Sequence, residues 1–328
     1  MRYKMFIFKK IVHIILSFWI KAFPSLGSKY LYYRKFGELP NLKNPKTFNE
    51  KLMWLKLYED DSLKVICADK YRVREYLNQI GYSSLLIDLY NVYEDVDEID
   101  FKQLPNRFVM KCTHGSGFNI ICKNKGKLNE KETRLLLKKW MAEKYSIRFC
   151  EPHYSKIKPR IIVEKFLEDG FSGEVPIDYM IHCFNGVPRV IEVGLENGGN
   201  EKKYSTYNTE WEKLSYYKDS VSLSETINKP EKIEEILKIA RNLSEEFTYV
   251  RVDLYYCQNQ IYFGELTFTP GACLEGDFIN DADYQLGKLL NLPRFEKIRP
   301  SLVSIPQYFK GKMIDLAHKI WPMLLLMG

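Results

Sequence analysis

The chain has 328 residues and a net charge of +7, with 45% hydrophobic and 28% charged residues. That is the balance of a globular protein long enough for two domains. The basic excess is spread along the chain and favours anionic partners, but no helix-turn-helix, zinc-finger or RNA-binding signature accompanies it, so no nucleic acid is expected. The seven cysteines form no C-x-x-C, and the five histidines are scattered. This pattern reads as reduced thiols and argues against a disulfide framework, a zinc cluster or a His-based metal site.

In chain order, the basic and apolar stretch from Lys9 to Ile20 is too short to span a bilayer, which takes about 20 apolar residues. Lys21 to Pro24 does not resemble a cleavage site, so the expectation is an interfacial or core-docking helix. Residues 24–50, punctuated by Pro24, Gly27, Gly37 and Pro40, read as loop. Thr47 with Glu50 three residues later forms a capping box that opens a helix through Tyr58. A second helix is expected over Lys70 to Ile80, stopped by Gly81, followed by an extended segment from Leu85 to Val92.

Phe108 to Cys112 and Ile120 to Cys122 read as strands around His114-Gly115-Ser116-Gly117, a turn that could fold over phosphates with Lys111 at its lip. It is not a P-loop, because no G-x-x-x-x-G-K-[ST] occurs. A helix over Glu132–Lys144 precedes a strand from Pro159 to Leu167. Asn185-Gly186 marks a hairpin between Ile177–Phe184 and Val187–Val193. Residues 195–220 read as irregular, with Lys202, Lys203 and Trp211 facing substrate. A helix from Pro230 to Phe247, a hairpin and a short helix from Asp283 to Leu290 lead to an apolar tail, also too short to span. Both apolar ends could rest on a membrane surface or pack on the body.

The hairpin over Val250–Ala272 carries the chemistry. Val250, Val252 and Leu254 alternate with Arg251, Asp253 and Tyr255, while Ile261, Phe263, Glu265 and Thr267 are expected to share one face of the return strand. The link Gln258-Asn259-Gln260 lacks the glycine of a tight two-residue turn, so an odd loop centred on Asn259 is expected. That register sets Asp253 opposite Glu265 and Arg251 opposite Thr267. Opposed carboxylates repel. A hard cation such as Mg²⁺, which is held by one or two carboxylates plus phosphates, reverses the sign, and an arginine on the same face suits a phosphate. The alternative is an edge hairpin with a solvated acidic face.

Taken together, NPKTFNEKLMWLKLY, ADKYRVREYL, FVMKCTHGSG and FGELTFTPGA resemble the TupA-like, teichuronopeptide-biosynthesis family of the ATP-grasp superfamily over most of residues 37–293. The resemblance implies an α+β ATP-grasp fold in which two α+β lobes grip ATP, preceded by an N-terminal helical extension. Within 37–293 it sets an N-terminal α/β region (37–105), a small lobe with the glycine-rich loop (106–167) and a large lobe with the metal hairpin (168–293), flanked by the apolar and basic helix (1–36) and the apolar tail (294–328) read from the sequence. It implies that Lys70 and Lys111 hold phosphates, that Glu164 with the backbone of Lys165, Phe166 and Leu167 binds adenine, and that Asp178 binds the ribose. Asp253 and Glu265 would ligate Mg²⁺, Arg251 would steady the transferred phosphoryl group, and the backbone near Gly271 would hold an anionic product. Where many ATP-grasp enzymes have Glu-x-Asn, this chain has Glu265-Leu266-Thr267, and Thr267 is a weaker metal ligand than an amide carbonyl.

The implied activity is a cytoplasmic ligase, peripheral to the membrane if the apolar ends bind it. It would join a carboxylate-bearing sugar or glycan to an amine through an acyl phosphate in cell-surface polysaccharide synthesis. Rivals are a glycosyltransferase, a glycan phosphotransferase and a nucleotide-binding scaffold. Asp95-Val96-Asp97 and Asp281-Ala282-Asp283 read as surface turns, not as the metal motif a glycosyltransferase would use.

Overall fold

The structure is a computed structural model that describes residues 24–60, 62–168, 176–196, 202–223, 226–279 and 281–293. The two apolar ends proposed for membrane contact lie outside these residues, apart from the last turns before Phe36. No helix among the described residues is long and apolar enough to cross a membrane.

Two antiparallel sheets organise the chain. The smaller has the order β1-β4-β2-β3, from β1 (Leu89–Tyr93), β2 (Phe108–Cys112), β3 (Asn119–Cys122) and β4 (Ile161–Lys165). The larger has the order β10-β9-β5-β6-β7-β8, from β5 (Asp178–Phe184), β6 (Val187–Glu196), β7 (Lys202–Tyr207), β8 (Lys213–Leu214), β9 (Tyr249–Cys257) and β10 (Gln260–Thr267). Helices pack on both sheets: α1 (Pro24–Phe36), α2 (Phe48–Tyr58), α3 (Ser62–Ala68), α4 (Val73–Gln79), α5 (Glu130–Ala142), α6 (Tyr145–Arg148), α7 (Ile233–Ser244) and α8 (Ala282–Leu289). This mixed architecture is the expected α+β class.

Alternation along the strands divides each sheet into an apolar and a polar face. In the large sheet Tyr179, Ile181, Ile191, Val193, Val250, Val252 and Leu254 join a buried core with Ile236, Ile239 and Leu243 of α7. The intervening residues Asp178, His182, Glu192, Arg251 and Asp253 take the opposite face. One end of that face is covered by α2 and α8, which bury Phe184, Val190 and Tyr249 against Phe48 and Leu286. The remainder carries the polar groups. In the small sheet Phe108, Met110, Cys112, Ile161 and Val163 pack with Leu137 of α5, leaving Lys111 and Glu164 on the other face.

Local signals in the sequence act as expected at several places. The Thr47 hydroxyl accepts from the Glu50 N–H and the Glu50 carboxylate accepts from the Thr47 N–H, which caps α2. Asn185 and Gly186 take φ of 50° and 75°, the left-handed pair of a primed turn. All seven cysteines are free and buried.

Three expectations fail for identifiable reasons. Residues 24–36 are helical, not loop: Pro24 stands at the helix start, where no N–H is needed, Gly27 and Ser28 are buried small contacts, and Gly37 (φ 78°) closes the helix. Residues 202–207 form a strand because β6 supplies a partner along its length, and the ring of Trp211 is taken up by packing within the protein. It stacks on Tyr207 at 4.4 Å against the core of the large sheet. The helix expected from Lys70 begins at Val73, because the buried Asp69 carboxylate accepts from the N–H groups of Tyr71 and Arg72 and holds Lys70 in a turn.

Candidate active site

The hairpin of β9 and β10 sets Asp253 opposite Glu265 and Arg251 opposite Thr267. It reaches this register by a different route from the one the sequence suggests. The loop has two residues, Gln258 and Asn259, both left-handed (φ 50° and 61°), and Cys257 pairs with Gln260. A bulge between Phe263 and Glu265 then inserts one residue, Gly264. The shorter loop and the extra residue cancel. The bulge also reverses the side-chain alternation: Ile261 and Phe263 belong to the core with Leu266 and Phe268, so Glu265 and Thr267 are on the opposite face from them, not the same one. Gly264 is required here, since a Cβ would lie 2.9 Å from the Asp253 carbonyl oxygen.

Around this hairpin the charges are tightly paired. Arg251 donates from Nε and Nη2 to the two oxygens of Asp253 at 2.7 and 2.6 Å, a bidentate fork. Its Nη2 also lies 3.5 Å from the Thr267 hydroxyl and 3.9 Å from Glu265. Thr267 donates to Glu265 Oε1 at 3.0 Å. Lys70 meets Glu265 Oε2 at 3.1 Å and donates to the Gly115 carbonyl at 3.1 Å, tying the glycine turn of β2 and β3 to the hairpin. The two opposed acids are driven apart. Burial, with Asp178 and Glu265 adding, raises the Asp253 carboxyl against the pull of Arg251. Lys70, with Arg251 second to burial's opposing effect, holds the Glu265 carboxyl down at about 2.

The small sheet contributes a second group. Lys111 Nζ is 2.8 Å from Glu164 Oε2, and Arg74 Nη1 is 3.4 Å from Glu164 Oε1. Arg74 also donates to the Ile87 carbonyl at 3.0 Å. Lys70, Arg74, Lys111, Glu164 and Gly264 line one narrow cleft of about 10 Å³, the room of a single water. The structure therefore brings Lys70, Lys111, Glu164, Arg251, Asp253, Glu265 and Thr267 to the meeting of the two sheets. Asp178 sits at the start of β5, opposite Tyr255. Lys165 ends β4 with its N–H donating to the Asp88 carbonyl at 2.9 Å and its ammonium 3.3 Å from Asp88, and Phe166 is buried beneath Arg107. These last residues stand at the margin of the cluster.

Sequence reasoning missed Arg74, which reaches the cleft from the first turn of α4. It also missed the network across β5 and β6. There His182 Nε2 is 3.2 Å from Glu192 Oε2, Tyr217 donates to the same oxygen at 2.9 Å, and His182 Nδ1 is 2.8 Å from the Tyr249 hydroxyl. Glu192 and Asp253 both stand opposite Met180 in the sheet, so this network continues the polar face that holds the hairpin. Beside it lies a cavity of about 200 Å³ that reaches Arg251 and Gly271. The loop at its edge is strained after Gly271: Ala272 and Cys273 have left-handed φ of 58° and 66°, and such backbone clusters at functional sites.

Two carboxylates and a hydroxyl fit one Mg²⁺ whose other ligands are phosphates and water, and do not make an all-protein cage. Among the described residues no group of three or more His, Cys, Asp or Glu could hold a metal on its own.

Comparison with known families matches residues 50–291 to the TupA-like ATP-grasp family. No curated protein matches. Among solved structures, the chain is similar to D-alanine–D-alanine ligase from Helicobacter pylori, with 16% identity, 74% of this chain and 69% of that one covered, and a TM-score of 0.39. It is similar to the D-alanine–D-alanine ligase from Bacillus anthracis complexed with ATP, with 14% identity, 74% and 64% covered, and a TM-score of 0.38. It is also similar to phosphoribosylamine–glycine ligase from Thermotoga maritima, with 13% identity, 62% and 48% covered, and a TM-score of 0.36. The chain spans less than two thirds of the length of the last two. The family match covers well over half of the chain and runs through both sheets from α2 to α8, and on that ground the chain belongs to the TupA-like ATP-grasp family.

Proposed function

We propose that the protein is an ATP-dependent carboxylate–amine ligase acting on a sugar or glycan carboxylate in cell-surface polysaccharide synthesis. The observation that carries this reading is the convergence of Lys70 and Lys111 with Arg251, Asp253 and Glu265 where the two sheets meet. Phosphoryl transfer needs positioning and charge neutralisation more than a covalent nucleophile. Two lysines and an arginine supply cationic groups, and all seven cysteines are buried.

In this reading Lys70 and Lys111 exchange their carboxylate partners for phosphate oxygens. Glu164 and the backbone of Lys165, Phe166 and Leu167 take the adenine, and Asp178 takes the ribose. Asp253, Glu265 and the Thr267 hydroxyl would hold Mg²⁺, which when bound neutralises phosphate charge. Arg251 steadies the phosphoryl group as it passes to the substrate carboxylate. The amine nitrogen then bonds to the acyl carbon, the carbon–oxygen bond to phosphate breaks, and inorganic phosphate and a proton leave. Because the reaction consumes ATP, it belongs on the cytoplasmic side of the membrane.

The test has two stages. Saturating Mg²⁺–ATP at about 100 times its Kd should add about 2.7 kcal/mol to wild-type stability, a Tm rise of about 4 °C for a chain of this length, and Glu265→Gln should abolish the rise. ADP release should then depend on glucuronate and be stimulated by an amine. A folded wild type with no nucleotide response would sink the reading. ADP release that yields a stable phosphorylated sugar and does not depend on amine would make the protein a phosphotransferase.

A further inference from the structure

We propose that the cavity beside Arg251 is the seat of the amine acceptor, held as an ammonium by Glu192 and Glu275 against an aromatic wall. The proposal rests on the ligase reading and names the chemistry of its second substrate: a primary amine on a molecule no larger than a monosaccharide or an amino acid.

Position is the first argument. Glu192 and Asp253 flank Met180 in adjacent strands. Two strand spacings put their backbones about 10 Å apart. That distance keeps the carboxylates within one small molecule's length of the phosphoryl site, so that an amine received as an ammonium passes one proton to Glu192 or Glu275 and its neutral nitrogen then reaches the acyl carbon. Arg251 belongs to both places, lining the cavity and clasping Asp253. At about 200 Å³ the cavity suits a molecule of that size.

Charge is the second. An arginine in a pocket ordinarily invites a carboxylate, but Nε and Nη2 of this one are engaged by Asp253, with Thr267 beside Nη2. His182 adds no positive charge: burial lowers its pKa, and its two nitrogens are occupied by Glu192 and Tyr249. The carboxylates remain, with Lys35 near Glu275 opposing the burial that raises that carboxyl. Glu192 is 5% exposed. Both of its side-chain bonds go to Oε2, so Oε1 makes no hydrogen bond among the described residues. Burial is the largest single effect and opposes its charge, yet His182, Arg251 and the Tyr217 bond together outweigh it and the carboxyl lies below its ordinary value. Glu275 Oε1 accepts from the Asp277 N–H, and Asp277 itself is paired with Lys218 at 3.5 Å. A buried carboxylate with an unengaged oxygen in a cavity whose arginine is already paired selects a cation.

The wall is the third. Tyr217 lies 5.9 Å from Tyr204 and 5.3 Å from Phe278, centroid to centroid, so three rings stand in series along the cavity. Aromatic faces attract ammonium groups, more strongly when water is excluded.

Saturation-transfer NMR on the full chain tests this with glucosamine and L-lysine as amine probes, and with N-acetylglucosamine and glucuronate as neutral and anionic counterparts. At least one amine probe should bind wild type saturably, at least tenfold more tightly than either counterpart. Glu192→Gln and Glu275→Gln should each weaken that binding tenfold or more. Tyr217→Phe, which keeps the ring and removes one donor to Glu192, gives a milder change if Glu192→Gln does not fold. Absence of amine binding, equal or better binding of glucuronate or N-acetylglucosamine, or indifference to the acidic substitutions overturns the proposal. A Mg²⁺–ATP thermal shift run beside it separates the two claims: nucleotide response without amine binding removes this inference alone, whereas no nucleotide response removes the ligase reading.

Discussion

Glu265→Gln is the substitution whose consequence follows most directly from the geometry. Lys70 at 3.1 Å, with Arg251 at 3.9 Å, holds the Glu265 carboxyl at about 2, down from an ordinary 4.5. That difference corresponds to roughly 3 kcal/mol of preference for the ionised form in the folded state. The side chain is 32% exposed, so solvent screening reduces the figure to about 2 kcal/mol. Because the folded pKa is the depressed one, the stabilisation is fully present above 4.5 and is lost as pH falls toward 2. Glutamine keeps the shape and an acceptor for Thr267 but not the charge. Urea denaturation at pH 7 should therefore show the variant less stable by about 2 kcal/mol, with Tm lower by about 3 °C. At pH 3 the gap should shrink to less than half. Lys70→Met should cost a comparable amount at pH 7, and the double variant should cost less than the sum, as expected for partners in contact. A variant as stable as wild type at pH 7, or a deficit that stays constant down to pH 3, would show that Lys70 and Glu265 are not an interacting pair, and the cluster built on them would fall with it.

Three further outcomes are expected. Burial raises the Glu151 carboxyl to about 7 although Thr269 donates to it and Lys56 is near; with the folded pKa the higher one, its contribution is intact below 4.5 and is lost as pH rises through 7. Glu151→Gln should thus leave stability unchanged at pH 4 and raise it at pH 8, by up to about 3 kcal/mol, in matched melts. Gly264→Ala forces a methyl to within 2.9 Å of the Asp253 carbonyl oxygen and 3.2 Å of the Tyr255 ring. It should cost about 1–3 kcal/mol in urea and also reduce the Mg²⁺–ATP shift, because the bulge sets the Asp253–Glu265 pair. Replacing Gln258-Asn259 by Asn-Gly suits the two left-handed positions of the turn and should stabilise by about 1 kcal/mol, leaving the nucleotide response unchanged.

Much of the scaffold was legible because its signals are local. The Thr47–Glu50 box, the Asn185-Gly186 turn and the alternation in β9 depend on neighbours in sequence, and each specifies its own element. What escaped depends on contacts far apart in the chain. Gly27 looks like a helix breaker until it is seen buried inside α1, and the strand at Lys202–Tyr207 has little pattern of its own until β6 pairs with it. The Glu192 network escaped for the same reason. A glutamate in a hydrophobic strand gives no sign that a histidine ten residues earlier and a tyrosine twenty-five later will converge on one oxygen.

The hairpin shows how a correct register can rest on incorrect steps. An odd loop centred on Asn259 and a two-residue loop followed by a one-residue bulge give the same Asp253–Glu265 pairing, so pairing alone does not distinguish them. Side-chain direction does. Without the bulge, Glu265 and Thr267 would follow Ile261 and Phe263 into the core packed on α7, where two polar groups would lack partners. With it, Leu266 and Phe268 fill the core and the acid turns toward Lys70. The glycine in Phe-Gly-Glu-Leu-Thr therefore does two things at once: it admits the close approach of the Asp253 carbonyl, and it moves the strand from one alternation to the other at the residue where the chemistry begins. A glycine inside an otherwise alternating strand, immediately before a charged residue, was the sequence signal for that switch.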